Sequence, residues 1–502
     1  MGKRLRRVGD PVVVAGPVGV RIRTRIHPSD AEASALRGIG DLLGSVYRRE
    51  LAQRVALGCL DSKSHAVWRA QRKKSVTAVS SSRWAGAITR AVEDQYQLGM
   101  RALGMHVRDL RAAVEVLGAR CALRSGEVVA ATGDDDAHRD RPRRARGYRS
   151  ANERFAKTRR LAVLGGRLAR AEQALSVGRP SITVGGKRLW RNRNHLEQAQ
   201  LSQQQWRQRW EARRLFLTAD GESGKPGGNE TIRVDQDGQL RIKTPAVLVA
   251  QLGTHVVIAE PVRFSHRGDQ WADRIATRRA VRYDISYDPD RGRWYLDASW
   301  TAAPEPTVAI EALRARRVLG VDLNADHLAC CVLDAAGNPV GEPDTIAVAT
   351  AGLAASHRDG HLRAAITTLL DLAEQQHCAA VVVEHLDFAD ARAIGRETLG
   401  RGRRGKRFRR TVAGMPTAQF RNRLLTMAAA RGIGLIGVDP AYTSKWGAQH
   451  WRKPLQQQTS DRRAVTGHHG AAAAIGRRGL GMAIGVGRTD PAPDRGPLRA
   501  RH

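Results

Sequence analysis

Cysteine is scarce in this chain. Cys59, Cys121, Cys330, Cys331 and Cys378 make five among 502 residues, and no two stand in a C-x-x-C pair. That count and spacing argue against a disulfide framework or a metal knuckle, so buried structural thiols are expected. Long apolar runs are missing as well. No stretch of 18 apolar residues occurs, and the opening MGKRLRRVGD has no apolar signal core. A membrane-spanning helix and a secretory leader are therefore not expected, and the chain reads as cytosolic. Aromatic residues are few, at 5%, and acids are in short supply, with 49 Asp+Glu against 84 Lys+Arg.

The shortage of acid leaves a formal net charge of +35. Excess charge on this scale opposes compaction unless a polyanion neutralises it, and every phosphate so bound releases counterions. Nucleic acid is the expected partner and membrane is not. At 502 residues the chain exceeds one ordinary core, which implies two to four domains.

The pattern changes along the chain, and the expected fold class is multidomain α+β. Residues 1–27 form a basic tail ending in VGVRIRTRI, an alternation that suits a strand. Residues 28–178 carry apolar residues at helical spacing, opening with Ser29 and Glu32 in a capping-box arrangement. The run GDDDAHRDRPRRARGYR interrupts them as an exposed loop. Its Asp134, Asp135 and Asp136 lack the spacing and closing Glu of a calcium loop. Residues 179–300 hold short alternating runs, from SITVGGKRLW to GRWYLDASW, broken by turn residues. They predict an antiparallel β-barrel with one helical insert, HLEQAQLSQQQWRQRWEARRLFL. Residues 301–314, with Pro304 and Pro306, read as a linker. Residues 315–485 alternate strand and helix, the mark of an α/β domain, and 486–502 form a basic disordered tail.

Carboxylates at the ends of apolar strands carry the chemistry. In RRVLGVDLNADHLACCVLD, Val318, Leu319 and Val321 lead into Asp322. A buried carboxylate is expensive without a positive partner, although a turn Asp capping a hairpin would look the same in sequence. In CAAVVVEHLDFADAR a fully apolar strand ends at Glu384, where parallel α/β sheets place their ligands. A third strand, GIGLIGVDP, ends at Asp439, which reads as strand-end punctuation. Last, TGHHGAAAAIGRRGLGMAI is an Ala-rich helix with His468 and His469 in its first turn. Small residues allow close packing on a sheet, so these side chains are expected near the two acids. Carboxylates converging from separate strands suit two-metal hydrolysis of phosphodiesters.

GVDLNADHLA resembles the first RuvC motif of TnpB proteins and compact type V CRISPR effectors. VVVEHLDFADAR resembles the second, and VDPAYTSKWG the segment after the next strand. ITVGGKRLW, GRWYLDASW and the basic stretch before MPTAQFRNRLLTMAAARGI are similar too. The resemblance implies a helical recognition lobe (28–178), a wedge barrel (179–300) and a C-terminal RNase H-like nuclease domain (315–485). It further implies an RNA-guided DNA endonuclease of the prokaryotic cytosol or nucleoid, with guide RNA and target DNA as partners. Asp322 and Glu384 match the first and second catalytic acids, which would hold Mg2+, with Mn2+ able to substitute. Two departures stand out. Trp446, His450 and Trp451 occupy the region of the family's zinc cysteines, so no zinc is expected. The third acid is replaced by His469 or, as second choice, His468, as metal ligand or proton carrier. A nuclease-silent RNA-guided repressor and, further off, a transposase are the competing readings.

Other residues are nucleic-acid candidates. Arg401, Arg403, Arg404, Lys406, Arg407, Arg409 and Arg410 place seven cations in ten residues, interleaved with glycines. They are expected to contact phosphate. Trp190, Trp206 and Trp210 lie in a basic region, where they either stack bases or pack a core. Asp387 either assists a metal or caps the helix that follows. Asp326 repeats the pattern of Asp322 without continuing an apolar strand.

Overall fold

A computed structural model describes residues 8–130, 144–303, 307–324, 326–348, 353, 355–385 and 417–484. The seven-cation run 401–410, Asp387, Asp134–Asp136 and the 486–502 tail lie outside the described residues. Two compact units divide the chain. One is built from residues 19–132 with 143–302, the other from residues 1–18, 133–142 and 303–502.

The first unit follows β1 (Val12–Val13) and begins with β2 (Gly19–Ile26). Long helices come next: α1 (Asp30–Leu57), α2 (Ser62–Val79) and α3 (Ser82–Ala122). The hairpin β3 (Val128–Ala130) and β4 (Arg144–Arg146) then precedes α4 (Ala151–Ser176). α1 starts as expected, with Ser29 Oγ accepting from Glu32 N–H and Glu32 Oε2 accepting from Ser29 N–H. In β2, Val20, Ile22 and Ile26 are buried while Arg21, Arg23 and Arg25 face outward.

The rest of this unit departs from the expected barrel. After α5 (Lys187–Asn192), α6 (Gln203–Ala212) and β5 (Thr218–Ala219) come β6 (Ile232–Val234), β7 (Leu240–Lys243), α7 (Val249–Leu252), β8 (His255–Ile258), α8 (Gly268–Ala276), β9 (Arg282–Asp288) and β10 (Arg293–Thr301). These strands form two sheets, β2-β10-β9-β5 and β6-β7-β8. No barrel closes among the described residues. β5 has two residues and β6 three, too short to tilt and pair across a closed cylinder. SITVGGKRLW is not a strand either. Gly185 and Gly186 both adopt φ +96°, which ends the extended run and turns the chain into α5. The helices and the β-rich segment share one core, in which Leu36, Ile88, Ile232, Leu240 and Leu296 meet. Trp84 of α3, fully buried, donates its indole N–H to Lys243 O at 2.9 Å.

The second unit combines helices with a mixed sheet. Its elements are α9 (Ile310–Arg314), β11 (Val318–Leu323), β12 (His327–Leu333), β13 (Asp344–Ala347), α10 (Ala355–Gln375), β14 (Ala380–Glu384), α11 (Thr417–Ala430), β15 (Gly434–Val438), α12 (Thr443–His450), α13 (Arg452–Gln458) and α14 (Gly467–Gly479). The sheet runs β1-β15-β14-β11-β12-β13. β11, β14 and β15 are parallel, while β12, β13 and β1 are antiparallel to their neighbours. The edge strand β1, from the basic tail, has no clear sequence signal.

Alternation along β11 sorts its side chains to two cores. Leu319 and Val321 pack with α10 and α11, and Val318 packs under the Ala-rich α14. Gly320 and Asp322 share the face of Val318, by the period of two. Gly320 lets α14 approach: a Cβ there would lie 2.2 Å from Ala472 O. Among the described residues no helix is long and apolar enough to cross a membrane.

Candidate functional site

Strand register brings the acids together. Val321 of β11 pairs with Val383 of β14, so the next residues along the two parallel strands are Asp322 and Glu384. On the other side Asp322 opposes Ala329, which in turn opposes Thr345 of β13. Directly opposed residues share a face, so Asp322, Ala329 and Thr345 form a row under the start of α14.

The two histidines of α14 straddle this row. His468 Nδ1 lies 2.9 Å from Asp322 Oδ2. The same oxygen accepts from Asn324 Nδ2 at 3.1 Å, and Asp322 is only 6% exposed. Its Oδ1 has no hydrogen-bond partner among the described residues. The His468 ring meets that of His327 edge-on at 5.2 Å, and His327 Nδ1 is 2.7 Å from exposed Asp326 Oδ1.

His469 makes different contacts. It is 2% exposed and its Nδ1 accepts from Thr466 N–H at 3.0 Å, in a capping box where Glu or Gln is usual. With Nδ1 accepting, Nε2 carries the proton and donates to Thr345 Oγ1 at 2.9 Å. Burial pushes its pKa down, which keeps the ring neutral. Both nitrogens are committed to α14 and β13, so His468 is the histidine beside the acid.

Glu384 is governed by burial. Desolvation pushes its pKa up to about 7; a hydrogen bond from Thr443 and the charge of Arg478 oppose this, while Asp322 and Asp439 add to it. Thr443, fully buried at the start of α12, bonds Glu384 Oε1 and also contacts Pro440 O at 2.9 Å. A hydroxyl has one proton. That of Thr443 lies within reach of both Glu384 Oε1 and Pro440 O and donates to one of them at a time. Arg478 is 7% exposed and donates to the carbonyls of Asp439 and Ala441, tying α14 to the turn after β15. Asp439 is punctuation of this turn: it accepts from Ala441 N–H at 2.9 Å and from Gly9 N–H at 3.0 Å.

Thr345, Thr443 and Arg478 carried no signal in the sequence, because each acts through a contact distant along the chain. In the stretch where the resembled family carries zinc cysteines, Trp446 stacks on Tyr442 at 4.8 Å, and buried Trp451 donates its indole N–H to Ile484 O at 2.7 Å. Four of the five thiols are buried as expected and Cys59 is exposed. Among the described residues no group of three or more His, Cys, Asp or Glu side chains is gathered to hold a metal. Trp190 lies in the first unit, 45% exposed. No family model and no curated protein sequence matches the chain.

Proposed function

We propose that the chain is an RNA-guided DNA endonuclease, cutting target DNA with a metal-dependent RuvC-type site in its second unit. One observation carries the reading: Asp322 and Glu384 end adjacent parallel strands, and a side chain of the last helix, His468, reaches Asp322. The strand order β13-β12-β11-β14-β15, with three antiparallel strands followed by two parallel ones, is that expected of an RNase H-like domain. The +35 charge supports a nucleic-acid partner on the scale of a guide RNA with its DNA target.

The donor set fits a hard divalent ion such as Mg2+ or Mn2+. Asp322 Oδ1 has no hydrogen-bond partner among the described residues, and Glu384 has one carboxylate oxygen in the same state. A bound ion would stabilise charge on the phosphodiester and lower the pKa of an attacking water. Asp322 and Glu384 would hold it, and Asn324 and Thr443 fix the rotamers of these acids. With Nδ1 of His468 facing Asp322, Nε2 is the nitrogen left to exchange a proton with water or with the leaving oxygen.

A second reading, a nuclease-silent RNA-guided DNA binder acting as a repressor, is favoured by the same contact. His468 Nδ1 occupies Asp322 Oδ2 in the place where relatives of the resembled family carry a third acid. Purification from the native host followed by sequencing of bound RNA tests what both readings share. A discrete structured RNA, and a melting temperature that falls after RNase treatment in low salt, are expected. Absence of such an RNA removes the guided function in either form.

A further inference from the structure

A cleft of about 580 Å³ opens in the first unit between α1, the turn at residues 180–184 and the helices α5 and α6. Leu51 and Val55 supply apolar lining, and Trp190, Trp210, Arg48 and Arg214 supply the rest that matters here. Three indoles form a cluster, two of them stacked and Trp190 tilted 37° against Trp210. Trp206 and Trp210 lie 5.7 Å apart at 13°, and Trp190 lies 5.3 Å from Trp210. Trp206 and Trp210 are fixed. Trp206 donates its indole N–H to Leu189 O at 2.8 Å, and Gly185 packs so closely on Trp210 that a Cβ would lie 2.8 Å from the ring. Trp190, by contrast, remains 45% exposed although its neighbour Leu189 is buried.

Two cations of the cleft, Arg48 and Arg214, stand next to each other. Arg48 donates to Arg214 O at 3.0 Å, and the Arg214 guanidinium stands 5.2 Å from the Trp210 ring centre. Arg193 stands 5.4 Å from the Trp190 ring centre. Nearby Arg49 and Arg209 have carboxylate partners, whereas neither Arg48 nor Arg214 forms an ion pair among the described residues. Burial and the charge of Arg214 weaken the hold of Arg48 on its proton, and the charge of Asp41 offsets them only in part. A flat apolar face beside guanidinium groups that form no ion pair among the described residues matches a base attached to a phosphate.

We propose that this cleft takes one unstacked nucleotide of a single-stranded nucleic acid, with its base on Trp190 and its phosphate against Arg48 and Arg214. The proposal deepens the reading of the chain as a nucleic-acid-binding protein and rests on it, but requires nothing of the Asp322 site.

The test uses the full chain stripped of RNA, with a fluorescein-labelled ten-nucleotide oligothymidylate and an abasic deoxyribose-phosphate oligomer of the same length. Oligothymidylate binds about tenfold or more tightly than the abasic oligomer and quenches tryptophan emission. Trp190→Ala removes most of that preference, and Trp190→Phe keeps it. Arg48→Gln with Arg214→Gln weakens both oligomers and flattens the salt dependence. Equal binding of the two oligomers by the wild-type protein overturns the proposal and needs no variant to fold. So does an unchanged preference in Trp190→Ala, or equal competition by a polyglutamate of the same charge. If wild-type protein does not cut DNA but retains base-dependent binding, the nuclease reading fails and this cleft stands. If it cuts DNA but binds the two oligomers equally, the cleft fails and the nuclease reading stands.

Discussion

His468 Nδ1 faces Asp322 Oδ2 at 2.9 Å, joining the first turn of α14 to the end of β11. The histidine is half exposed and the acid is buried, so the contact closes one side of the carboxylate while its Oδ1 stays open. Replacement of His468 by aspartate places a further carboxylate beside Asp322 and Glu384. His468→Asp is expected to tighten Mg2+ binding and raise Mg2+-dependent cutting, while His468→Ala lowers it. His469→Asp behaves differently. It strips two hydrogen bonds from a residue 2% exposed and is expected to destabilise by ~2–4 kcal/mol without improving metal binding. Metal titration and thermal melts of the three variants check this. Identical metal affinity in wild type and His468→Asp would remove His468 from the site.

Glu384 makes stability depend on pH. Its folded pKa, about 7, stands above the ordinary carboxyl value of 4.5. The folded state therefore keeps a proton that the unfolded chain has released, and the resulting stability is present in full below about 4.5. It is lost as pH rises through about 7. In EDTA, Glu384→Gln is expected to be more stable than wild type at pH 8, by at most ~3 kcal/mol, and equal to it near pH 4.5. Thermal melts across that range decide it, and a difference independent of pH contradicts the assignment.

Gly320 holds α14 against the sheet. Any Cβ at this position meets the backbone of Ala472, which cannot swing aside as a side chain does. Gly320→Ala is expected to destabilise the second unit by ~1–3 kcal/mol or more, and to weaken the His468–Asp322 contact with it. A melting temperature equal to wild type would show that the helix does not sit this close.

The helical part of the first unit carries a buried ion cluster. Arg54, with 5% of its side chain exposed, donates to Glu93 at 2.8 Å and to Gly58 O at 2.9 Å. Burial raises the Glu93 pKa, but the hydrogen bonds from Arg54 and Gln97 and the charges of Arg54 and His65 outweigh it, and the net shift is downward. Because the folded value is depressed, this stability is present above about 4.5 and lost as pH falls through the folded value. Glu93→Gln leaves the guanidinium unpaired and is expected to cost about 3–5 kcal/mol at pH 7, and much less in acid. Denaturant melts at both pH values test it.

The second unit was more legible than the first, for physical reasons. Apolar strands ending in Asp322 and Glu384 and an Ala-rich helix are local patterns, and strand register then carries the acids to neighbouring positions. The choice between His468 and His469 was not legible. Consecutive helical residues point about 100° apart, and only the seating of α14 on Gly320 decides which one meets Asp322. Barrel closure was equally hidden, since it depends on pairing of distant edge strands. SITVGGKRLW misled because its alternation is ended by backbone conformation at Gly185 and Gly186. Thr443 and Arg478 touch groups set in place by chain folding, which no spacing rule anticipates.

Cutting of a guide-complementary DNA tests the central claim most directly. Protein carrying its own RNA is mixed with Mg2+ and DNA matching the guide, beside Asp322→Ala and Glu384→Ala proteins with the same RNA. Wild type is expected to cut, and both variants to bind the DNA with unchanged affinity while cutting at least about 100-fold more slowly, because a methyl group cannot replace a ligand carboxylate. Undiminished cutting by both variants, or no cutting by RNA-loaded wild type, would contradict the account.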